Sequence, residues 1–174
     1  RGCDIVSDTN LAARLNVRYA KVAVHRFPDG ESRVTVPAPL PARVAMCRSL
    51  DHPNDKLVET ILAAEAARQN GARSITLIAP YLCYMRQDIA FNPGEAISQR
   101  IVGGWLAERF DAVVTVDPHL HRVATLAEAV PAAEAVALSA AALFGAYLQG
   151  REPDALLVGP DEESAQWLAA ATRD

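Results

Sequence analysis

The sequence predicts an α/β protein: a parallel sheet with helices on both faces, preceded by an N-terminal β-hairpin. Three observations carry this expectation. Short apolar, β-branched runs recur at residues 43–47, 74–81, 112–116 and 155–158. Stretches of helical periodicity fill the intervals between them, and an Asp-Gly pair separates two alternating segments near the start. Strands alternating with helices through short connections imply right-handed crossovers, and so a sheet buried on both sides.

Each element follows from its own pattern. Residues 11–15 finish a short amphipathic helix. Residues 20–25 and 32–36 read as strands joined across Pro28-Asp29-Gly30, because Asp-Gly between apolar alternations is a strong hairpin signal. Pro37, Pro39 and Pro41 stop the second strand and lead to the strand 43–47. Asn54 or Asp55 is placed to cap a helix with apolar positions Leu57, Ile61, Leu62 and Ala66, and Gly71 supplies its left-handed stop. The strand 74–81 follows directly. After Pro93-Gly94 a helix over 98–110 carries Ile101, Trp105 and Leu106 on one face, which places Trp105 in the core or at a subunit interface. Gly103-Gly104 inside it costs about 1 kcal/mol per glycine relative to alanine, so the pair predicts close backbone packing. The strand 112–116 comes next.

Residues 131–136 read as a domain boundary, dividing the chain into a unit over 1–134 and the opening of a second over 135–174. There a helix over 140–149 stopped by Gly150, a strand over 155–158 and a helix over 162–171 are expected. One helix, one strand and one helix cannot bury both faces of a sheet, so this second unit is expected to belong to a larger domain.

Composition narrows the function classes. A net charge of -4 argues against an extended nucleic-acid footprint, although local arginines can still bind phosphate. With 51% hydrophobic but only 6% aromatic residues, the core should be aliphatic and alanine-rich. Cys3, Cys47 and Cys83 are odd in number, far apart and without a C-x-x-C pair, so neither a disulfide framework nor a structural zinc site is indicated, and a reducing compartment is expected. No apolar stretch approaches the ~20 residues of a spanning helix, and the opening Arg1-Gly-Cys-Asp4 is no recognisable signal peptide. The expectation is a soluble, cytoplasmic protein without a membrane partner.

The chemistry collects at strand ends, where open α/β sheets bind ligands. The strand 74–81 runs into Tyr84-Met-Arg-Gln-Asp88, which puts a guanidinium, an amide and a carboxylate on successive residues, able to grip a phosphate and read a polar ring. The strand 112–116 ends in Asp117-Pro118-His119, and 155–158 ends in Gly159-Pro160-Asp161. One composite site is expected from these three ends. No G-x-x-x-x-G-K-S/T loop and no G-x-G-x-x-G after a strand is present, so phosphate must be bound in another way. His119 and His121 form H-x-H but lack a third nitrogen or sulfur ligand nearby for zinc.

In this order the motifs Arg26-Phe-Pro-Asp-Gly-Glu31, Pro80-Tyr-Leu-Cys-Tyr-Met-Arg-Gln-Asp88, Val114-Thr-Val-Asp-Pro-His119 and Val158-Gly-Pro-Asp161 resemble ribose-phosphate pyrophosphokinase, the synthetase of phosphoribosyl pyrophosphate (PRPP). Residues 91–98, Phe-Asn-Pro-Gly-Glu-Ala-Ile-Ser, are closer to its archaeal-type branch. The resemblance implies two similar phosphoribosyltransferase-like domains and transfer of the β,γ-diphosphoryl group of ATP to the C1 hydroxyl of ribose 5-phosphate. It implies that Phe27, Asp29 and Glu31 reach the adenine of an ATP held mainly by a neighbouring subunit of a dimer-built homo-oligomer. Arg86, Gln87 and Asp88 would bind ATP, and His119 and Asp161 would be associated with Mg2+, with His119 also catalytic.

Departures from the family pattern bear on activity. Ile89-Ala90 stand where basic residues are usual, Pro118 replaces a leucine, and His121 takes a frequently acidic place. Glu162-Glu163-Ser164 replace glycines and add negative charge beside the expected diphosphate. The sequence ends about where the family's flexible catalytic loop would begin, and the later ribose-phosphate loop is not among its residues. A non-catalytic regulatory paralogue is therefore the alternative to the enzyme, and a transferase consuming PRPP is a third reading.

Overall fold

A computed structural model describes residues 5–172, without the side chains of Ile5, Val6 and Glu163; expectations resting on residues 1–4, Cys3 among them, lie outside the described residues. In chain order the elements are β1 (Ile5–Val6), α1 (Thr9–Leu15), β2 (Arg18–Tyr19), β3 (Ala23–Arg26), β4 (Ser32–Thr35), β5 (Arg43–Cys47), α2 (Pro53–Gln69), β6 (Ser74–Ala79), α3 (Ser98–Arg109), β7 (Ala112–Val116), α4 (Leu126–Ala129), β8 (Glu134–Leu138), α5 (Ala141–Gln149), a 3-10 turn (Glu162–Ser164) and α6 (Ala165–Ala171). One compact unit extends to Ala137 and a second begins at Leu138.

The first unit is built on a sheet of order β2-β1-β5-β6-β7-β8, and its pairs from β2 through β7 are parallel. Ile75, Leu77 and Ala79 of β6 alternate onto one face together with Val44 and Met46 of β5 and Val113 of β7, all within the main core. The alternation has a period of two because successive side chains of a strand point to opposite faces. The other face has its own small core, Ala12 of α1 against Ala45, with Ile78 and Cys47 packed on it. Helices therefore cover both faces, as the sequence predicts. The hairpin forms as a separate antiparallel ribbon, β3 on β4, with Arg26 opposite Ser32 at the turn end. Cys47 is half-buried and Cys83 buried, and burial pushes the Cys83 thiol up to about 11. Among the described residues no helix is long and apolar enough to cross a membrane.

Several local expectations are corrected. Helix α2 is capped by neither Asn54 nor Asp55. It starts at Pro53 behind a left-handed His52 (φ 48°), since proline at the first helical position has no N–H left to satisfy. Trp105 is not in the core: it is 48% exposed and Ile101 44%. Helix α3 instead buries Gln99, Val102, Gly103 and Leu106, spaced three and four apart. The reason is Gly103, because a Cβ there would come within 1.8 Å of the Ala129 carbonyl oxygen. Gly104 has open space around its missing Cβ, so only one glycine of the pair makes the close approach. Residues 155–158 form no strand; Leu156 is 87% and Val158 79% exposed, and a strand exists only where a neighbour completes its ladder. In the second unit α5 and α6 pack closely, with Gly145 against the Ala171 carbonyl, and residues 162–171 divide into the 3-10 turn and α6.

One clamp invisible in the sequence ties the layers together. Asp111 Oδ2 accepts from the Ile75 amide at 2.7 Å and from Arg68 Nη2 at 2.8 Å, joining the start of β6, the approach to β7 and the end of α2. Burial pushes the Asp111 carboxyl up, but the Ile75 amide and the Arg68 guanidinium outweigh that and hold it below the usual carboxylate value.

Two predictions follow from this packing. Gly103→Ala should destabilise the protein by at least about 2 kcal/mol through overpacking, whereas Gly104→Ala should be neutral or stabilise by up to about 1 kcal/mol; urea midpoints of the two variants decide it. Asp111→Ala should lower stability by about 1–2 kcal/mol at neutral pH, a modest value because its side chain is partly solvated. A carboxyl with a depressed folded pKa contributes fully above its unfolded value of about 3.9, and the contribution is lost as pH falls through the folded pKa. The difference between parent and variant should therefore shrink in acid; a gap that stays constant to pH 2 contradicts the assignment.

Candidate functional site

Two loops leave the carboxyl ends of adjacent strands β6 and β7. Beyond Ala79 the chain is pinned by buried Leu82, Cys83 and Met85, while Tyr81, Tyr84 and Arg86 around them are exposed. Tyr84 takes a left-handed backbone (φ 59°) and donates its hydroxyl to Asn54 Oδ1. The first turn of α3 holds the rest of the loop. The Gln99 amide donates to the Met85 carbonyl at 3.2 Å, the Gln99 backbone N–H donates to the Gln87 carbonyl at 3.1 Å, and Ser98 Oγ donates to Gln87 Oε1 at 2.9 Å. With its carbonyl oxygen engaged, Gln87 presents its NH2 group as a donor. Arg86 is exposed and pairs with no carboxylate among the described residues.

Asp88 behaves differently from its two neighbours. It is buried, its Oδ1 accepts from Arg122 Nη1 at 2.7 Å, and its Oδ2 is buried without a partner. The Asp88–Arg122 pair links the loop after β6 to the loop after β7. In that second loop Asp117 is left-handed (φ 42°) although Pro118 follows, a conformation that costs on the order of 1–3 kcal/mol and persists only where the surroundings impose it. His119 and His121 lie edge to face with ring centroids 3.8 Å apart and their Nε2 atoms towards each other, so one ring donates and the other accepts.

The hairpin turn is formed as its sequence implies. Phe27 N–H donates to the Glu31 carbonyl at 2.8 Å, Gly30 is left-handed (φ 94°), and Asp29 Oδ1 accepts from the Glu31 N–H at 3.1 Å. Phe27, Asp29 and Glu31 all face solvent, and His25 packs edge-on to Phe27 at 4.8 Å. Among the described residues no hydrogen bond or ion pair joins this turn to Arg86 or Gln87. In the second unit Asp161 is exposed and caps the 3-10 turn, accepting from the Ser164 N–H at 3.0 Å; Glu162 beside it is exposed.

Thus Arg86, Gln87, Asp88 and His119 are gathered at one sheet edge, and Phe27, Asp29 and Glu31 stand apart on the ribbon. Sequence reasoning missed Ser98, Gln99 and Arg122, the residues that orient the loops. A Ser-Gln pair opening a helix was their faint signal; the Arg122–Asp88 pair spans 34 residues and had none. Among the described residues no three His, Cys, Asp or Glu side chains gather for a metal. Magnesium usually keeps several waters and takes phosphate oxygens together with one or two carboxylates.

Comparison with known proteins identifies the family and the fold. A family model described as the N-terminal domain of ribose phosphate pyrophosphokinase matches residues 8–108. A ribose-phosphate pyrophosphokinase of Methanopyrus kandleri is 43% identical over 155 residues, 87% of this chain and 52% of the relative. One of Halobacterium salinarum is 35% identical over 94% of this chain and 57% of the relative. The chain therefore spans about half the length of the curated relatives it matches. A crystal structure of phosphoribosylpyrophosphate synthetase from Mycobacterium smegmatis shares the fold at a TM-score of 0.78 and 20% identity, covering 99% of this chain and 62% of the other. The chain belongs to the ribose-phosphate pyrophosphokinase family, whose N-terminal domain its residues 8–108 match.

Proposed function

We propose that this chain supplies the ATP-binding part of an enzyme that transfers diphosphate from ATP to the C1 hydroxyl of ribose 5-phosphate, forming PRPP and AMP in the cytoplasm. The observation that carries the reading is the pairing of an uncommitted guanidinium, Arg86, with the oriented donor amide of Gln87 at the end of β6. A guanidinium makes charge-assisted, often bidentate bonds to phosphate oxygens. Asp88 acts one step back, holding Arg122 and with it the His119 loop. Phe27, Asp29 and Glu31 contact the adenine of an ATP bound by a neighbouring subunit, which requires a homo-oligomer built from dimers.

Catalysis on this reading is positioning and electrostatics, because phosphoryl-type transfer leaves little covalent chemistry for the protein. Of the residues present, His119 would donate to a phosphate oxygen, and Asp161 would accept from water carried by a magnesium ion. Magnesium, when bound with the nucleotide, supplies neutralisation of the phosphate charge. Ile89-Ala90 in place of basic residues favour a second reading, a regulatory paralogue that binds nucleotide without turnover.

Three measurements test the proposal. Arg86→Ala should weaken ATP binding by about 1.5–3 kcal/mol without changing stability; calorimetric titration showing equal affinity removes Arg86 from the site. The full-length protein with ATP, magnesium and ribose 5-phosphate should release AMP only when the sugar is present, and His119→Ala should lower turnover more than ATP affinity, the sign of a transition-state contact. Absent AMP release turns the assignment to the regulatory paralogue, and sugar-independent release contradicts transfer to ribose 5-phosphate. Sedimentation should show a dimer or a dimer-built assembly; a monomer that binds ATP normally contradicts the shared site.

A further inference from the structure

A buried carboxylate outside the strand-end loops has no part in the chemistry above. Glu59 lies on the inward face of α2, and its side chain is 1% exposed. Three donors converge on it: Arg26 Nε at 2.9 Å and Ser32 Oγ at 3.2 Å reach Oε1, and Arg48 Nη2 reaches Oε2. Burial pushes its carboxyl up, but Arg48 and Arg26 outweigh that and keep it below the ordinary value.

The placement of these donors is informative. Arg26 ends β3, Ser32 begins β4, and the two are directly opposed in the ribbon, at the base of the turn 27–31. Arg48 follows β5 of the central sheet. One carboxylate thus holds both strands of the hairpin and the end of a core strand. Asp55, one helical turn earlier, adds a contact to Arg26 Nη1 at 3.3 Å. Among the described residues the ribbon shares no ladder with the six-stranded sheet, and a two-stranded hairpin alone is marginal in water. Val22, Val34 and Val36 pack its far end onto the core, which leaves the turn end dependent on Glu59.

We propose that Glu59 is a positioning residue that sets the direction of the turn 27–31, and so the presentation of Phe27, Asp29 and Glu31 to nucleotide. This rests on the reading of that turn as a nucleotide contact. A glutamine of the same shape removes the charge both arginines require and turns a donor towards one of them. Breaking a buried, multiply bonded ion cluster by removing one partner leaves charge uncompensated.

The test uses the full-length protein with Glu59→Gln. Amide hydrogen exchange over 23–35 should accelerate about tenfold or more, with β5, β6 and β7 unchanged, and the KM for ATP should rise about fivefold while kcat changes less than about twofold, since a peripheral contact acts as uniform binding. Val113→Ala, a core change away from the ribbon, is the control for general destabilisation and should leave exchange over 23–35 as in the parent. Arg26→Gln, at a largely exposed position, should reproduce the effects at smaller size and serves if Glu59→Gln does not fold. Unchanged exchange over 23–35 in the folded variants overturns the positioning role. Accelerated exchange with unchanged KM overturns the turn's nucleotide contact instead, so the two failures are distinct.

Discussion

The demand that every buried peptide group be paired organises this molecule, and strand β6 is where it acts most strictly. Ile75, Leu77 and Ala79 are fully buried on one face, and the backbone between them is satisfied by parallel ladders to β5 and β7. Parallel pairing brings the carboxyl ends of neighbouring strands to one edge. The Arg86–Asp88 loop and the Asp117–Arg122 loop are neighbours for that reason, and their chemistry is a consequence of sheet direction. Beyond Ala79 the ladder stops, and the loop is held by single bonds instead: the Leu50 N–H to the Tyr81 carbonyl, the Gln99 N–H to the Gln87 carbonyl, and the Ser98 and Gln99 side chains.

The holding works through close packing. Gly103 lets α3 rest against the carbonyl of Ala129. Ser98 and Gln99 stand at the start of that helix, and they grip Gln87 and Met85. A glycine in mid-helix, unfavourable by propensity, is thereby accommodated by the close packing of the helix that carries Ser98 and Gln99. The alanine-rich inner face of α2, with Ala63, Ala64 and Ala67 buried, permits a similarly close approach.

Buried carboxylates complete the arrangement at long range. Asp88 joins two loops through Arg122, and Glu59 joins the ribbon to α2 and β5 through Arg26, Ser32 and Arg48. Desolvating a carboxylate is costly unless donors surround it, and Glu59 is fully surrounded while Asp88 keeps one oxygen without a partner. Glu59 is thus an anchor bonded through both oxygens, whereas Asp88 holds Arg122 through one.

The sequence by itself determined the α/β class, the parallel strands 43–47 and 112–116, the Asp-Gly hairpin and the motifs that mark the family. All of these depend on local signals: period-two or helical periodicity, turn residues, and contiguous polar clusters. It could not show that Trp105 faces outward or that residues 155–158 remain without a partner strand, because both depend on what lies across space rather than along the chain. Nor could it separate Asp88 from Arg86 and Gln87, three adjacent polar residues of which one is buried against Arg122. Nothing in the sequence singles out Glu59; only the fold brings Arg26, 33 residues away, onto its carboxylate. Tertiary structure decided these points because a charged side chain's role is set by the donors that replace its water, and those donors come from distant segments.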